Sequence, residues 1–290
     1  MATGQQKIES DDGTFIFAQQ FHIRNPKAQC LVSHGYLEHC GRYEEFAKYL
    51  NSQGINVHLY DLRGHGNSDG KPAYLDDWKN YLADLNAVRS TLLPPEQLPT
   101  FLIGHSTGAL ITIDSLLQQA SVFDDSLHEL SGVILTGPYI QPAEKLNPLK
   151  VHVAKVFGSA LPSLKIPAGM SEAQHTNDLQ KQIELRNDEK VMKNATAGWA
   201  SECLLAQERV QSLVETTALP IPVLYVYGGA DTIACPEVNA RFAETLMAKR
   251  KTVVKRKEEQ HEVLNEENRN DLFNLISNWM LRDYQGIVSQ

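Results

Sequence analysis

Residues 104–108 read Gly-His-Ser-Thr-Gly, directly after the apolar run Phe101-Leu102-Ile103 and directly before the helical pattern ALITIDSLL. A serine hydroxyl is a weak nucleophile. A tight strand-to-helix turn with a glycine on each side holds it in a strained, exposed position where it can react, and the N-terminus of the following helix favours developing negative charge. The pentapeptide alone occurs by chance. The strand before it and the helix after it make Ser106 the candidate nucleophile.

Such a serine needs a general base, and the base needs an acid to orient it; in strand-turn-helix nucleophile systems these follow in the order Ser, acid, His. Asp231 ends the run VLYVYGGAD and His261 follows the last β-type run, the one histidine of ten in that late loop. Asp231 could instead cap a helix or turn; the histidine that follows favours the catalytic reading. His261-Glu262 also opens a zinc-binding His-Glu-x-x-His pattern, but the fifth position is Asn265. No metal and no cofactor is therefore expected.

Acyl transfer through a serine places a full charge on the former carbonyl oxygen. Ser33-His34-Gly35-Tyr36 closes an early strand, and the backbone N–H groups of Tyr36 and Thr107 are the expected oxyanion donors, each worth ~3 kcal/mol. His34 reads as a brace for that loop rather than as a second base.

The elements that must hold these residues alternate. Runs rich in Val, Ile, Leu, Phe and Tyr at 14–23, 29–35, 55–62, 99–106 and 132–140, bounded by Gly or Pro, read as buried strands. Helical patterns lie between them near 42–53, 75–93 and 107–120; in the second, Leu75, Trp78, Leu82, Leu85, Val88 and Leu92 form one apolar face. This β-α-β order implies a mostly parallel sheet. It resumes with strands at 221–231 and 252–257 and helices at 235–249 and near 268–284. Between 141 and 219 no strand-like run is evident and the chain reads as helices and loops, which suggests an inserted helical cap. The expected organisation is a catalytic domain of 1–140 and 220–290 with a cap of 141–219.

Composition excludes several classes. The 290 residues carry 27 Lys and Arg against 35 Asp and Glu, a net charge of -8, so no global cationic field exists to hold nucleic acid or anionic lipid. Four scattered cysteines lack any C-x-x-C pair and read as reduced thiols. The N-terminal residues are polar and no run of 18 apolar residues occurs, which makes a soluble cytoplasmic protein the expectation. Oligomeric state is not legible.

The segments HGYLEHCGRY (34–43), DLRGHGNSDG (61–70), GHSTG (104–108), GGAD (228–231) and HEVLNE (261–266) resemble, in order, the monoacylglycerol lipase and lysophospholipase branch of the α/β-hydrolases, also labelled serine aminopeptidase-like. The resemblance covers nearly all of the catalytic domain and is weaker over 141–219. It implies the α/β-hydrolase fold with an inserted cap, the triad Ser106, Asp231 and His261, and hydrolysis of a single-chain lipid ester. Tyr36-Leu37 stands where the family usually has a small pair, and Thr107 where it usually has methionine; both flank the reacting carbon. Glu38 and Arg42 carry over to positions near the polar head of the ester. Their alternative is a mutual i,i+4 salt bridge, and the sequence leaves both open.

Three features have plainer readings. Asp61-Leu62-Arg63-Gly64-His65-Gly66 lacks dinucleotide-site spacing and reads as a structural loop. The basic stretch KRKTVVKRK (249–257) reads as a solvated sheet edge. Leu149, Val153, Val156, Phe157 and Ala160 recur at helical spacing, followed by Leu161, Leu164 and Ile166. Packing onto the main domain explains the stripe; the sharper reading has Val156 and Phe157 lining an acyl tunnel and the cap resting on a membrane surface. The leading expectation is a serine carboxylester hydrolase acting on a monoacylglycerol or lysophospholipid. The alternatives are an esterase, thioesterase or aminopeptidase-type hydrolase, and a hydrolase fold used only for binding.

Overall fold

The computed structural model describes residues 2–93, 98–122, 124–144, 158 and 160–288. In chain order the elements are β1 (Ala2–Glu9), β2 (Phe15–His22), β3 (Ala28–Ser33), α1 (Glu44–Ser52), β4 (Ile55–Tyr60), α2 (Lys79–Leu92), β5 (Thr100–His105), α3 (Thr107–Ser121) and β6 (Gly132–Thr136). They continue with β7 (Lys165–Pro167), α4 (Glu172–His175), α5 (Leu179–Asn187), β8 (Asn194–Thr196), α6 (Ala197–Leu213), β9 (Ala218–Gly228), α7 (Pro236–Thr245), β10 (Met247–Arg256) and α8 (Arg269–Val288). Eight strands form one sheet in the order β1-β2-β4-β3-β5-β6-β9-β10. Only β1 and β2 run antiparallel to their neighbours; from β4 to β10 the sheet is parallel. It is the α/β-hydrolase architecture, as the resemblance implies.

The apolar runs are continuous because the central strands are covered on both faces. Cys30, Val32, Phe101, Ile103, Ile134, Leu224 and Val226 face a core completed by Phe46 and Leu50 of α1 and Phe273 and Ile276 of α8. Their neighbours Leu31, Leu102, Val133, Leu135, Val223 and Tyr225 face the other core, with Leu85 and Val88 of α2, Ile113 of α3 and Phe242 of α7. Parallel pairing brings the carboxyl ends of β3, β5, β9 and β10 to one edge of the sheet. The loops that leave these ends carry Tyr36, Ser106, Asp231 and His261.

Three strands depart from the sequence reading. Strand β1, spelled ATGQQKIE, is polar and pairs along the outer edge of β2. Within 141–219, where no strand was expected, β7 and β8 form a two-stranded antiparallel pair; Lys165, Ile166 and Pro167 are all exposed, so no buried alternation marks them. Helix α6 lies in that segment too, yet Ala206 and Val210 join the core of α3, and Arg209 makes a two-bond ion pair with Asp114 of α3 at 3.0 and 2.5 Å. It therefore packs on α3, while residues 166–195 and its own Trp199 line the cavity described below. Val156 and Phe157 lie outside the described residues, as do Leu149 and Val153.

The loop after β4 is structural. Asp61 accepts the backbone N–H groups of Cys40 and Asn67, both at 2.7 Å, and Arg63 is clamped by Asp84 at 2.7 and 2.6 Å. The basic stretch forms the edge strand β10, whose side chains are half-buried or exposed. All four cysteines are free thiols. Among the described residues no helix is long and apolar enough to cross a membrane.

Candidate active site

Ser106 sits between β5 and α3 with φ 52° and ψ -118°, a left-handed strain that a non-glycine residue holds only when its surroundings enforce it. The flanking glycines enforce it by close approach. A Cβ on Gly104 would lie 2.6 Å from the Ala109 Cα, and one on Gly108 would overlap the carbonyl oxygens of Ser33 and His34. Ser106 is buried rather than exposed, at 8%, because its hydroxyl opens into a covered cavity.

The structure brings the three candidate residues together. His261 Nε2 lies 2.7 Å from Ser106 Oγ, and His261 Nδ1 lies 2.7 Å from Asp231 Oδ2. The other Asp231 oxygen accepts the N–H groups of Ile233 and Ala234 at 2.8 and 2.9 Å, so the carboxylate is fixed by its own turn. Burial disfavours protonation of His261, but the Asp231 carboxylate, with Glu262 and Glu38 beyond, outweighs it and holds the imidazole above its ordinary range. His105, whose ring centroid is 5.2 Å away, is pushed down to about 4 by burial and by His261. One imidazole can take a proton while its neighbour stays neutral.

Tyr36 and Thr107 border the same cavity, and among the described residues neither backbone N–H is paired with an acceptor. Gly35 lets their loops meet: a Cβ there would be 3.1 Å from the Ser106 Cβ. The Tyr36 hydroxyl donates to the Ala73 carbonyl at 2.6 Å. Leu37 holds a positive φ of 68°, and its carbonyl accepts the N–H of Met192 at 2.8 Å. His34 is a brace: Nε2 accepts the Leu62 N–H at 2.9 Å, so Nδ1 donates to the Gly35 carbonyl at 2.6 Å.

Glu38 and Arg42 do form the i,i+4 pair, at 2.6 Å, and also border the cavity. Glu262, met in the sequence only beside His261 in HEVLNE and in the failed zinc pattern, and His175 complete the group. Arg42 grips Glu262 with two bonds at 2.8 and 2.7 Å, and His175 Nδ1 lies 2.9 Å from Glu262 Oε1. Burial opposes ionisation of both glutamates, but Arg42 holds Glu38 below the usual carboxylate range and Glu262 well below it. Adjacency to His261 was the only sequence signal for Glu262; His175 had none.

The cavity measures about 660 Å³, a volume suited to a small organic ligand. Residues 166–199 line it with Ile166, Met170, Leu185, Val191, Met192 and Trp199, and with Glu172, Arg186, Asp188 and Lys193 among them. Ser106, His261 and Asp231 in unbroken hydrogen-bond contact, beside a cavity that Tyr36 and Thr107 also border, form an arrangement that can support acyl transfer through a serine.

The sequence profile of the serine aminopeptidase, S33, family matches residues 24–268. A monoglyceride lipase of Rattus norvegicus is 30% identical over 227 residues, covering 77% of this chain and 71% of the rat protein. An uncharacterized abhydrolase domain-containing protein of Dictyostelium discoideum is 28% identical over 256 residues; these are 88% of this chain and 26% of that much longer protein. Among solved structures, a monoacylglycerol lipase of Paleococcus ferrophilus superposes with a TM-score of 0.81 at 25% identity, over 92% of this chain and 99% of that one.

Proposed function

The chain belongs to the serine aminopeptidase, S33, family of α/β-hydrolases, and from that premise we propose that it cleaves the carboxylic ester of a single-chain lipid, such as a monoacylglycerol or lysophospholipid, through an acyl-enzyme on Ser106. The observation that carries this reading is the hydrogen-bonded relay Ser106–His261–Asp231, with both bonds at 2.7 Å, beside a cavity that Ile166, Met170, Leu185, Val191 and Met192 also line. Likeness to the lipases of Rattus norvegicus and Paleococcus ferrophilus supports the lipid ester as substrate.

In this mechanism His261 takes the serine proton as Oγ attacks the ester carbonyl. Asp231 accepts from Nδ1–H, fixes the tautomer and stabilises the imidazolium. The N–H groups of Tyr36 and Thr107 receive the oxyanion. His261 then protonates the departing alcohol, and water, deprotonated by the same histidine, releases the fatty acid. The acyl chain lies against the apolar residues of 166–199, where each buried methylene contributes ~0.8 kcal/mol.

Leu161 and Leu164 are exposed beside the exposed Lys165, and Ile166 and Met170 of the same segment are partly exposed at the border of the cavity, which supports peripheral contact of this segment with a membrane. The direct test of the function is fluorophosphonate labelling alongside p-nitrophenyl esters of two to sixteen carbons, monoacylglycerols and lysophospholipids. Labelling at Ser106 with preference for long monoacyl esters is expected. Labelling with activity confined to acetate would replace the lipid by a short-chain ester.

A further inference from the structure

Four ionisable side chains from three separate parts of the chain form one buried network beside the candidate triad. His175 ends α4 in the segment 166–199, Glu262 directly follows His261, and Glu38 and Arg42 lie in the loop and first turn after β3. The bonds run without a break: His175 Nδ1 to Glu262 at 2.9 Å, Arg42 to Glu262 at 2.8 and 2.7 Å, Arg42 to Glu38 at 2.6 Å, and the Gly35 N–H to Glu38 at 2.6 Å. The N–H of Glu262 also donates to the His175 carbonyl at 2.7 Å.

The two ends of this network matter more than its middle. One end is peptide-bonded to His261. The other holds the amide immediately before Tyr36, the candidate oxyanion donor. The carboxylates are also filled by protein donors: Glu38 accepts the Tyr43 hydroxyl at 2.7 Å, and Glu262 accepts the Asn265 side-chain amide at 2.7 Å. Arg42 is held between two carboxylates and has no spare counter-charge to offer an ester head group. Buried ion networks bring little net stability compared with apolar packing, so a positional role is the better account of one retained here.

We propose that Glu38, Arg42, Glu262 and His175 are positioning residues that hold the His261 loop, the oxyanion loop and the segment 166–199 in a single register, so that seating of that segment is felt at both reacting loops. The proposal rests on the reading of Ser106 as nucleophile and His261 as base. His261 faces Asp231, Ser106, His105, Glu262 and Glu38; removing the charge of Glu262 takes away one of the three carboxylates that favour its protonated form.

The test compares Arg42→Met, Glu262→Gln and His175→Asn with the wild type, after thermal unfolding confirms folded samples. The readouts are the rate of fluorophosphonate labelling, kcat and KM for p-nitrophenyl acetate, which has neither a long chain nor a glycerol head, and the pH profile of kcat/KM. Misplacement by about 1 Å can lower a rate by roughly a hundredfold. Arg42→Met is expected to lower labelling and acetate turnover by roughly ten- to a hundredfold, in equal proportion and through kcat, and His175→Asn by less. Glu262→Gln, which keeps the side chain's size, is expected to move the acid limb of kcat/KM to lower pH. Should Arg42→Met fail to fold, the Glu262→Gln profile carries the test. Losses confined to esters with a polar head, with labelling and acetate turnover intact, would overturn the proposal, as would an unmoved profile in Glu262→Gln. A wild type that labels at Ser106 yet ignores lipid esters would instead overturn the substrate reading alone.

Discussion

Tyr36 and Trp199 stack face to face, with ring centroids 3.4 Å apart and planes 4° from parallel, joining the loop after β3 to the first turn of α6. The bulky residue that stands where relatives usually have a small one is thus committed to a partner, and its hydroxyl to the Ala73 carbonyl. Trp199→Ala is expected to cost about 3–5 kcal/mol of stability and to lower kcat. Tyr36→Phe keeps the stack, costs about 1 kcal/mol and retains most activity. Thermal unfolding with acetate kinetics checks both; a neutral Trp199→Ala would remove the stack from the account.

Gly108→Ala probes the contact between the Ser106 turn and the loop after β3. A methyl group there meets the Ser33 and His34 carbonyls, and overpacking should destabilise by about 3 kcal/mol or more with loss of turnover. Gly4→Ala, whose Cβ meets nothing within 4 Å, is the control and should stay within about 0.5 kcal/mol of the wild type.

The pH dependence of the reaction follows from His261. The base must be neutral to accept the serine proton, and Asp231 raises its pKa despite burial. The value of kcat/KM should therefore fall on acidification through an apparent pKa above 6.5, the ordinary histidine value. The shift is upward from the unperturbed position expected from residue type alone. An acid limb below pH 6 would contradict the Asp231–His261 coupling.

Much of this site is legible in the primary structure because its constraints are local. Gly104 and Gly108 are needed within two residues of Ser106, and the parallel strands that deliver Tyr36, Ser106 and Asp231 announce themselves as apolar runs. Other parts have no local signature. Strand β1 is a polar edge stabilised by pairing with β2, and β7 consists of three exposed residues. The Arg42–Glu262 pair spans 220 positions, so spacing cannot reveal it, and the i,i+4 reading of Glu38 and Arg42 captures only half of that network.

Stability should fall in acid through histidines buried in the neutral form. His58 is held down to about 4 by burial and by His22, and His65 to about 3 by burial and by His34. An unfolded histidine titrates near 6.5; below that pH the unfolded chain binds protons that the folded chain does not, so stability present above about 6.5 is lost as pH falls towards 4. Neither ring nitrogen of His58 has a partner among the described residues, so His58→Leu should be tolerated at neutral pH. It should also flatten the decline of Tm between pH 6.5 and 4. An unchanged pH slope in His58→Leu would exclude His58 as a source.

The most direct measurement compares wild type and Ser106→Ala on a long-chain monoacyl ester and on the matching triacyl ester. A cavity of about 660 Å³ has room for one chain and not for three splayed from one backbone. The wild type should therefore hydrolyse the monoacyl ester far faster than the triacyl one. Ser106→Ala should lose several orders of magnitude in kcat, with His261→Ala adding little more, because the residues of the relay act as a unit. Substantial turnover by Ser106→Ala, or a wild-type preference for the triacyl ester, would contradict the account.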